Sequence, residues 1–251
     1  MSFLKSLFGR ATNEPPVELL KDYSLLQTDF HSHLIPGLDD GAESEEESLK
    51  MLKGLESLGF RKVITTPHVM SDYYRNSPEA IFAGRDRLRT LCSENNILLQ
   101  VEAAAEYYLD EGFTARLGKE KLMTLGDNYV LFEVSYINPP DHLMRTVFDL
   151  KVNGYKPLLA HPERYPFWYN KFEVYEELKE HEVFFQINTI SLTGYYGPGA
   201  KKIAEKMIDA GMVNFAGSDM HHTRHLEALR KTLGEKYLAR LVAKGILNAT
   251  L

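Results

Sequence analysis

One cysteine in 251 residues, Cys92, leaves no partner for a disulfide and no thiolate pair for a zinc site within one chain. No apolar run approaches the roughly 20 residues that a membrane-spanning helix requires. Positive charge is scarce too: 29 Lys and Arg stand against 35 Asp and Glu, a formal charge of −6. With no basic block, nucleic acid is not an expected partner, because its phosphates are held by clustered cations. Familiar catalytic signatures are also missing. There is no G-x-S-x-G elbow for a serine hydrolase and no P-loop. A cysteine phosphatase of the C-x5-R type would need arginine where Leu98 stands after Cys92. Residues 1–16 interleave Phe3, Leu4, Leu7 and Phe8 with Lys5 and Arg10, without the uninterrupted apolar core of a secretory signal. This stretch is expected to be a short terminal helix, docked or frayed, rather than a membrane anchor. A soluble, cytoplasmic protein without stable membrane insertion is the expectation.

What the chain does have is alternation. Continuous apolar, β-branched runs occur at 25–30, 62–66, 97–102, 129–134, 156–160, 183–187 and 213–216. Runs of this kind suit parallel strands buried on both faces. Amphipathic stretches separate them. Ser44 with Glu47 forms a capping box ahead of Leu49, Leu52, Leu55 and Leu58, and Gly59 ends that run. Ser77-Pro78 opens a second helix, and Pro139-Pro140 and Pro198 precede two more. Seven strand–helix units fit a closed (β/α) barrel in one domain better than an open doubly wound sheet. Residues 25–251 are taken as that domain and 1–24 as an N-terminal extension.

The reactive side chains gather where these runs end. His31 and His33 follow the first run, His68 the second, Glu106 the third, Glu133 lies in the fourth, and His161 follows the fifth. Asn188 follows the sixth, and Asp219 and His221 follow the seventh. In a barrel such ends converge on one face, where active sites of this architecture are built. His31 and His33 are two apart, so on an extended backbone both imidazoles point the same way. Mixed imidazole and carboxylate ligands suit Mn, Fe or Zn, and the set is too large for one ion but enough for two or three. Cys92 sits on a helix face as a small core residue.

The segments DFHSHLIPGLDDGA (29–42), TTPH (65–68), AAAEYYL (103–109), LFEVS (131–135), AHPERY (160–165) and GSDMHH (217–222) resemble the polymerase-and-histidinol-phosphatase (PHP) superfamily. Within it they are similar to the bacterial manganese-dependent protein-tyrosine phosphatases linked to capsule and exopolysaccharide synthesis. The resemblance implies a distorted (β/α)7 TIM-like barrel holding three divalent metal ions, Mn by preference, with Fe or Zn as alternatives. It implies His31, His33, His68, Glu106, Glu133, His161, Asp219 and His221 as ligands. Arg164, with Arg224 as a second arginine, would hold substrate phosphate. The implied reaction is hydrolysis of a phosphotyrosine-containing protein, such as a bacterial tyrosine kinase, by a metal-activated hydroxide. Asp40, Asp39 and His222 are candidates for the proton donor. Tyr73, Tyr74, Tyr107, Tyr108, Tyr136, Tyr165, Tyr195 and Tyr196 fall in segments that follow the strands and could pack a phenyl ring. Two rival readings are a small-molecule phosphatase acting on a substrate such as histidinol phosphate, and a non-catalytic metal-stabilised binding domain.

Overall fold

The computed structural model describes residues 18–251, and the N-terminal pattern at 1–16 lies outside them. Its strands are β1 (Thr28–Phe30), β2 (Lys62–Thr65), β3 (His68–Val69), β4 (Gln100–Ala103), β5 (Glu106–Tyr108), β6 (Tyr129–Glu133), β7 (Lys156–Ala160), β8 (Phe184–Asn188) and β9 (Phe215–Gly217). The helices are α1 (Glu45–Ser57), α2 (Pro78–Glu94), α3 (Glu111–Arg116), α4 (Leu143–Val152), α5 (Glu173–Glu180), α6 (Pro198–Asp209), α7 (Arg224–Thr232) and α8 (Lys236–Ala243). Ser44 Oγ accepts from Glu47 N at the start of α1, and Ser77 Oγ accepts from Ala80 N at the start of α2. Both caps are those the sequence indicates.

All strand pairs are parallel, and they fall into two sheets, β1-β2-β4 and β3-β5-β6-β7-β8-β9. The architecture is therefore a mixed α/β fold of parallel strands and covering helices, without the single closed ring of pairing that a regular barrel would show. Two of the seven runs continue into a second short strand. Pro67, which has no N–H to give a ladder, separates β2 from β3, and Ala104-Ala105 separates β4 from β5. Backbone bonds continue past the strand ends, the first within one sheet and the second between the two. Thr66 N donates to Ser32 O at 2.7 Å, and Asp219 N donates to His31 O at 2.8 Å. Ser218 reinforces the second seam, its N and Oγ donating to the buried Asp29 carboxylate at 2.8 and 2.6 Å. A Cβ on Gly217 would lie 2.5 Å from Phe30 O, so only glycine lets β9 approach β1 this closely.

Strand alternation divides the core. Phe30, Ile64, Leu131, Leu158 and Phe215 form an inner cluster between the strands. Their neighbours Val63, Val130, Phe132, Leu159 and Ala216 face the helices in the larger cluster. The inner faces of β6 and β8 then turn polar, at Glu133 and at Gln186 and Asn188, in keeping with the period of two along a strand. An apolar floor thus carries a polar layer above it. Tyr23, within the expected extension, is buried against Phe60 at 4.8 Å and donates its hydroxyl to Leu229 O, so the folded body begins before residue 25.

Candidate metal centre and cleft

The polar layer opens into a cleft of about 600 Å³ lined by His68, His161, Arg164, Asp219 and His221, with Tyr73, Tyr74, Tyr108, Tyr136, Tyr195 and Tyr196 among its walls. All eight residues expected as ligands meet at its base. Together with Asp40 they form four overlapping groups: His31, His33 and Asp219; His31, Glu106 and His161; His68, Glu106 and Glu133; and His33, Asp40, His68 and His221. In each group one donor atom per residue falls within 4.8 Å of every other. Glu106 is the hub. Its Oε2 lies 3.1 Å from His31 Nε2, 3.5 Å from His33 Nε2 and 3.2 Å from His68 Nδ1, and its Oε1 lies 3.2 Å from His161 Nε2. It opens β5, the continuation that brings a residue well past the third apolar run back into the layer.

The backbone delivers these groups differently from the extended-strand expectation. His31 lies beyond β1 at φ 73°, His161 beyond β7 at φ 34° and Asp219 beyond β9 at φ 51°. Left-handed conformations cost non-glycine residues roughly 1–3 kcal/mol each and persist only where the surroundings impose them. Here the imposing contacts are the pairing of Asp219 N with His31 O and of His33 N with Met220 O at 2.8 Å. His31 and His33 converge because the chain turns sharply between strand and loop.

Three of the expected ligand histidines have one ring nitrogen occupied by an acceptor. Asp39 Oδ2 accepts from His33 Nδ1 at 2.6 Å and from His68 N at 3.0 Å, which takes Asp39 out of the cleft as a proton donor. Gln186 Oε1 meets His31 Nδ1 at 2.7 Å, and Asp219 O meets His221 Nδ1 at 2.9 Å. The opposite faces are left over: His31 Nε2, His33 Nε2, His68 Nδ1 and both Glu106 oxygens are buried with no hydrogen-bond partner. Buried polar atoms are ordinarily satisfied. Five orphaned donor atoms facing one another have the chemistry of a site for divalent cations, so the residues fit such ions.

The electrostatics agree. Burial disfavours a charged His68, yet Glu106, Asp40 and Glu133 together outweigh it and lift the imidazole to about 10. His31 and His33 are likewise raised against the cost of burial, His31 by Glu106 and Asp219, His33 chiefly by Asp39. Burial pushes Glu106 and Asp219 up, but His31 beside each holds both well below the usual carboxylate range. His161 is lowered by burial and by the Arg164 charge. Raised imidazoles and depressed carboxylates are thus each other's partners across the centre.

Above it, Arg164 donates from Nη1 to Asp219 Oδ2 at 2.6 Å, and its guanidinium lies 4.0 Å from the Tyr196 ring and 4.9 Å from that of Tyr136. Half-exposed Asp40 lies 3.4 Å from His68 Nε2 and 3.5 Å from His221 Nε2, and those contacts hold its carboxyl below the usual range. Its geometry is that of an acceptor. Arg224, by contrast, is exposed in the first turn of α7 and is not among the residues lining the cleft. His222 lines the cleft, as does His225, whose ring lies 5.1 Å from that of Tyr195 and which burial lowers to about 3. Gln186, Asn188 and Asp39 shape the centre without joining the ligand groups. The sequence signal for Gln186 is a lone amide inside an otherwise apolar buried strand. Cys92 is buried in the outer core on α2, away from the cleft.

Fold and centre together define a class: a parallel-stranded α/β domain with a multi-histidine, multi-carboxylate cluster at its strand ends and an arginine above it. Residues 27–247 match the capsular polysaccharide synthesis CpsB/CapC family, and the chain belongs to it. It is 30% identical over 197 residues to the tyrosine-protein phosphatase YwqE of Bacillus subtilis (strain 168), covering 78% of each. A crystal structure from work on YwqE and on CpsB from Streptococcus pneumoniae, described as unique metal-dependent tyrosine phosphatases, superposes with a TM-score of 0.75 at 29% identity, over 82% of this chain and 85% of that one. Histidinol phosphate phosphatase from Lactococcus lactis, solved with zinc, L-histidinol and phosphate, shares the fold, with a TM-score of 0.52 at 15% identity over 88% and 94% of the two chains. Among the described residues no helix is long and apolar enough to cross a membrane.

Proposed function

We propose that this chain is a metal-dependent protein-tyrosine phosphatase serving capsule or exopolysaccharide synthesis, with a phosphorylated protein such as a tyrosine kinase as substrate. The observation that carries the reading is the cluster of orphaned imidazole and carboxylate atoms under an open, tyrosine-walled cleft. The names of the relatives support it. In this reading His31, His33, His68, Glu106, Glu133, His161, Asp219 and His221 would hold three divalent ions, Mn by preference. Such ions, when bound, supply charge stabilisation at phosphoryl oxygens and acidify water. The two sheets are read as one distorted seven-unit barrel around this centre, within a single domain.

The chain's own side chains do the rest. Arg164 meets the non-bridging phosphoryl oxygens, where transition-state charge gathers, with donors that its Asp219 contact leaves free. Tyr136 and Tyr196 keep its guanidinium plane in place. The rim tyrosines Tyr73, Tyr74 and Tyr195 face the substrate's phenyl ring. Tyrosinate, with a pKa near 10, leaves without strong proton donation. Asp40 therefore serves as an acceptor beside His68 and His221, and Arg224 contributes charge only from outside the cleft lining, near His222. Metal analysis with kinetics on phosphotyrosine peptide, phosphoserine peptide and histidinol phosphate tests the reading. Phosphotyrosine turnover that needs metal is expected to lead. Preference for histidinol phosphate would move the chain to small-molecule chemistry, and no turnover by metal-loaded protein would leave a binding domain.

A further inference from the structure

We infer that Gln186 and Asn188, on the inner face of β8, form a one-way hydrogen-bond chain that fixes which nitrogen His31 presents to the centre. The chain begins at Asp219 Oδ2, a carboxylate oxygen that the Asn188 side chain contacts at 2.6 Å through Nδ2. A carboxylate accepts, so Asn188 must donate there. Its Oδ1 then accepts from Gln186 Nε2 at 2.9 Å. That turns Gln186 Oε1 toward His31 Nδ1, at 2.7 Å, and toward His161 N, at 3.4 Å.

The far end checks the direction independently. A peptide N–H can only donate, so the Gln186 atom beside His161 N must be the oxygen. With donor and acceptor fixed at opposite ends, neither amide can flip without setting like against like. His31 Nδ1 therefore carries a proton, and Nε2, buried and unpartnered beside Glu106 and Asp219, is the only nitrogen His31 offers a cation. The same chain holds Asp219 Oδ2 in place, so one strand sets the aim of two ligand candidates on different loops. Gln186 and Asn188 are positioning residues. This rests on the reading of His31 as a metal ligand.

The test is nitrogen–proton correlation spectroscopy on protein labelled with 15N-histidine, metal-free and loaded with zinc, with His31→Asn used to identify the resonance. The inference expects a protonated Nδ1 on His31 in both samples and a zinc-shifted Nε2 in the loaded one. Gln186→Met, close in size but without the acceptor, should lose the Nδ1 signature and bind zinc about 10–100-fold more weakly, the usual effect of removing a partner of a ligating histidine. Gln186→Glu keeps an oxygen for His31 but sets its second oxygen against Asn188 Oδ1, so it should retain the Nδ1 proton and recover only part of that affinity. An unprotonated Nδ1 in the parent overturns the inference without recourse to any variant, should Gln186→Met fail to fold. Parental zinc affinity in folded Gln186→Met overturns it too. A parent that takes up no zinc defeats the metal reading instead, while the Nδ1 proton in its metal-free spectrum still judges the hydrogen-bond chain.

Discussion

Truncating Arg164 separates the binding of phosphate from the binding of metal. Arg164→Ala removes the guanidinium that faces the cleft between the Tyr136 and Tyr196 rings, and with it the 2.6 Å contact to Asp219 Oδ2. Asp219 does not lose its orientation, because Asn188 Nδ2 holds the same oxygen at 2.6 Å and Asp219 N remains bonded to His31 O. Metal content should therefore stay at the parental level. Losing one preorganised donor at a developing charge costs about 10²–10³ in rate, or about 2.7–4 kcal/mol. That loss should appear in kcat on phosphotyrosine peptide, and inorganic phosphate should inhibit the variant less strongly. Arg164→Lys should regain part of the rate only, since a point charge lacks the planar two-pronged donor and cannot stack between two rings. His161→Ala, three residues earlier, should lower metal occupancy together with rate. An Arg164→Ala protein with parental turnover would refute the reasoning, and one that loses its metal would show that Arg164 acts through Asp219 instead.

Asp39→Asn leaves His33 Nδ1 a weaker acceptor and should reduce Mn affinity about 10–100-fold, as measured by titration of the metal-free protein. Cys92→Ser should retain activity, chelator should abolish it, and added Mn should restore it; alkylation at Cys92 that inactivates with metals intact would contradict this. Arg224→Ala, changing an exposed residue outside the cleft lining, should lower phosphotyrosine turnover far less than Arg164→Ala in parallel assays. Burial raises Glu163 from its ordinary 4.5 to about 7, so the folded chain keeps a proton that the unfolded chain gives up. Its contribution to stability is thus greatest at low pH and falls by about 3 kcal/mol as pH rises through that window. Urea unfolding of metal-free protein should show Glu163→Gln gaining on the parent between pH 5 and 8, and parallel profiles would refute the assignment.

Legibility followed the chemistry of each residue. Strand-end histidines and acids in apolar runs declared the centre, because a buried strand tolerates such groups only where they find partners. Glu106 was visible as a residue, but its place at the hub depends on β5, a short strand that no apolar run announces. The convergence of His31 and His33 was legible for a reason the backbone does not use, since His31 is left-handed rather than extended. The division of labour between Asp39 and Asp40 could not be read from adjacent identical residues. It is set by His33 and by His68 N, which take Asp39 inward. Arg164 was legible as an arginine three residues after the expected ligand His161, whereas its anchor Asp219 lies on another strand end. Closure of the barrel goes beyond the pairing observed: seven runs predict the units, but Pro67 and the break at Ala104-Ala105 divide their pairing between two sheets.

The most direct test of the central claim is anomalous diffraction at the manganese edge from crystals of the chain grown with Mn, paired with phosphotyrosine hydrolysis by the same protein stock. Three peaks are expected inside the cluster formed by His31, His33, His68, Glu106, Glu133, His161, Asp219 and His221, in protein whose turnover requires the metal. Metal-dependent turnover with no peak among those residues would contradict it.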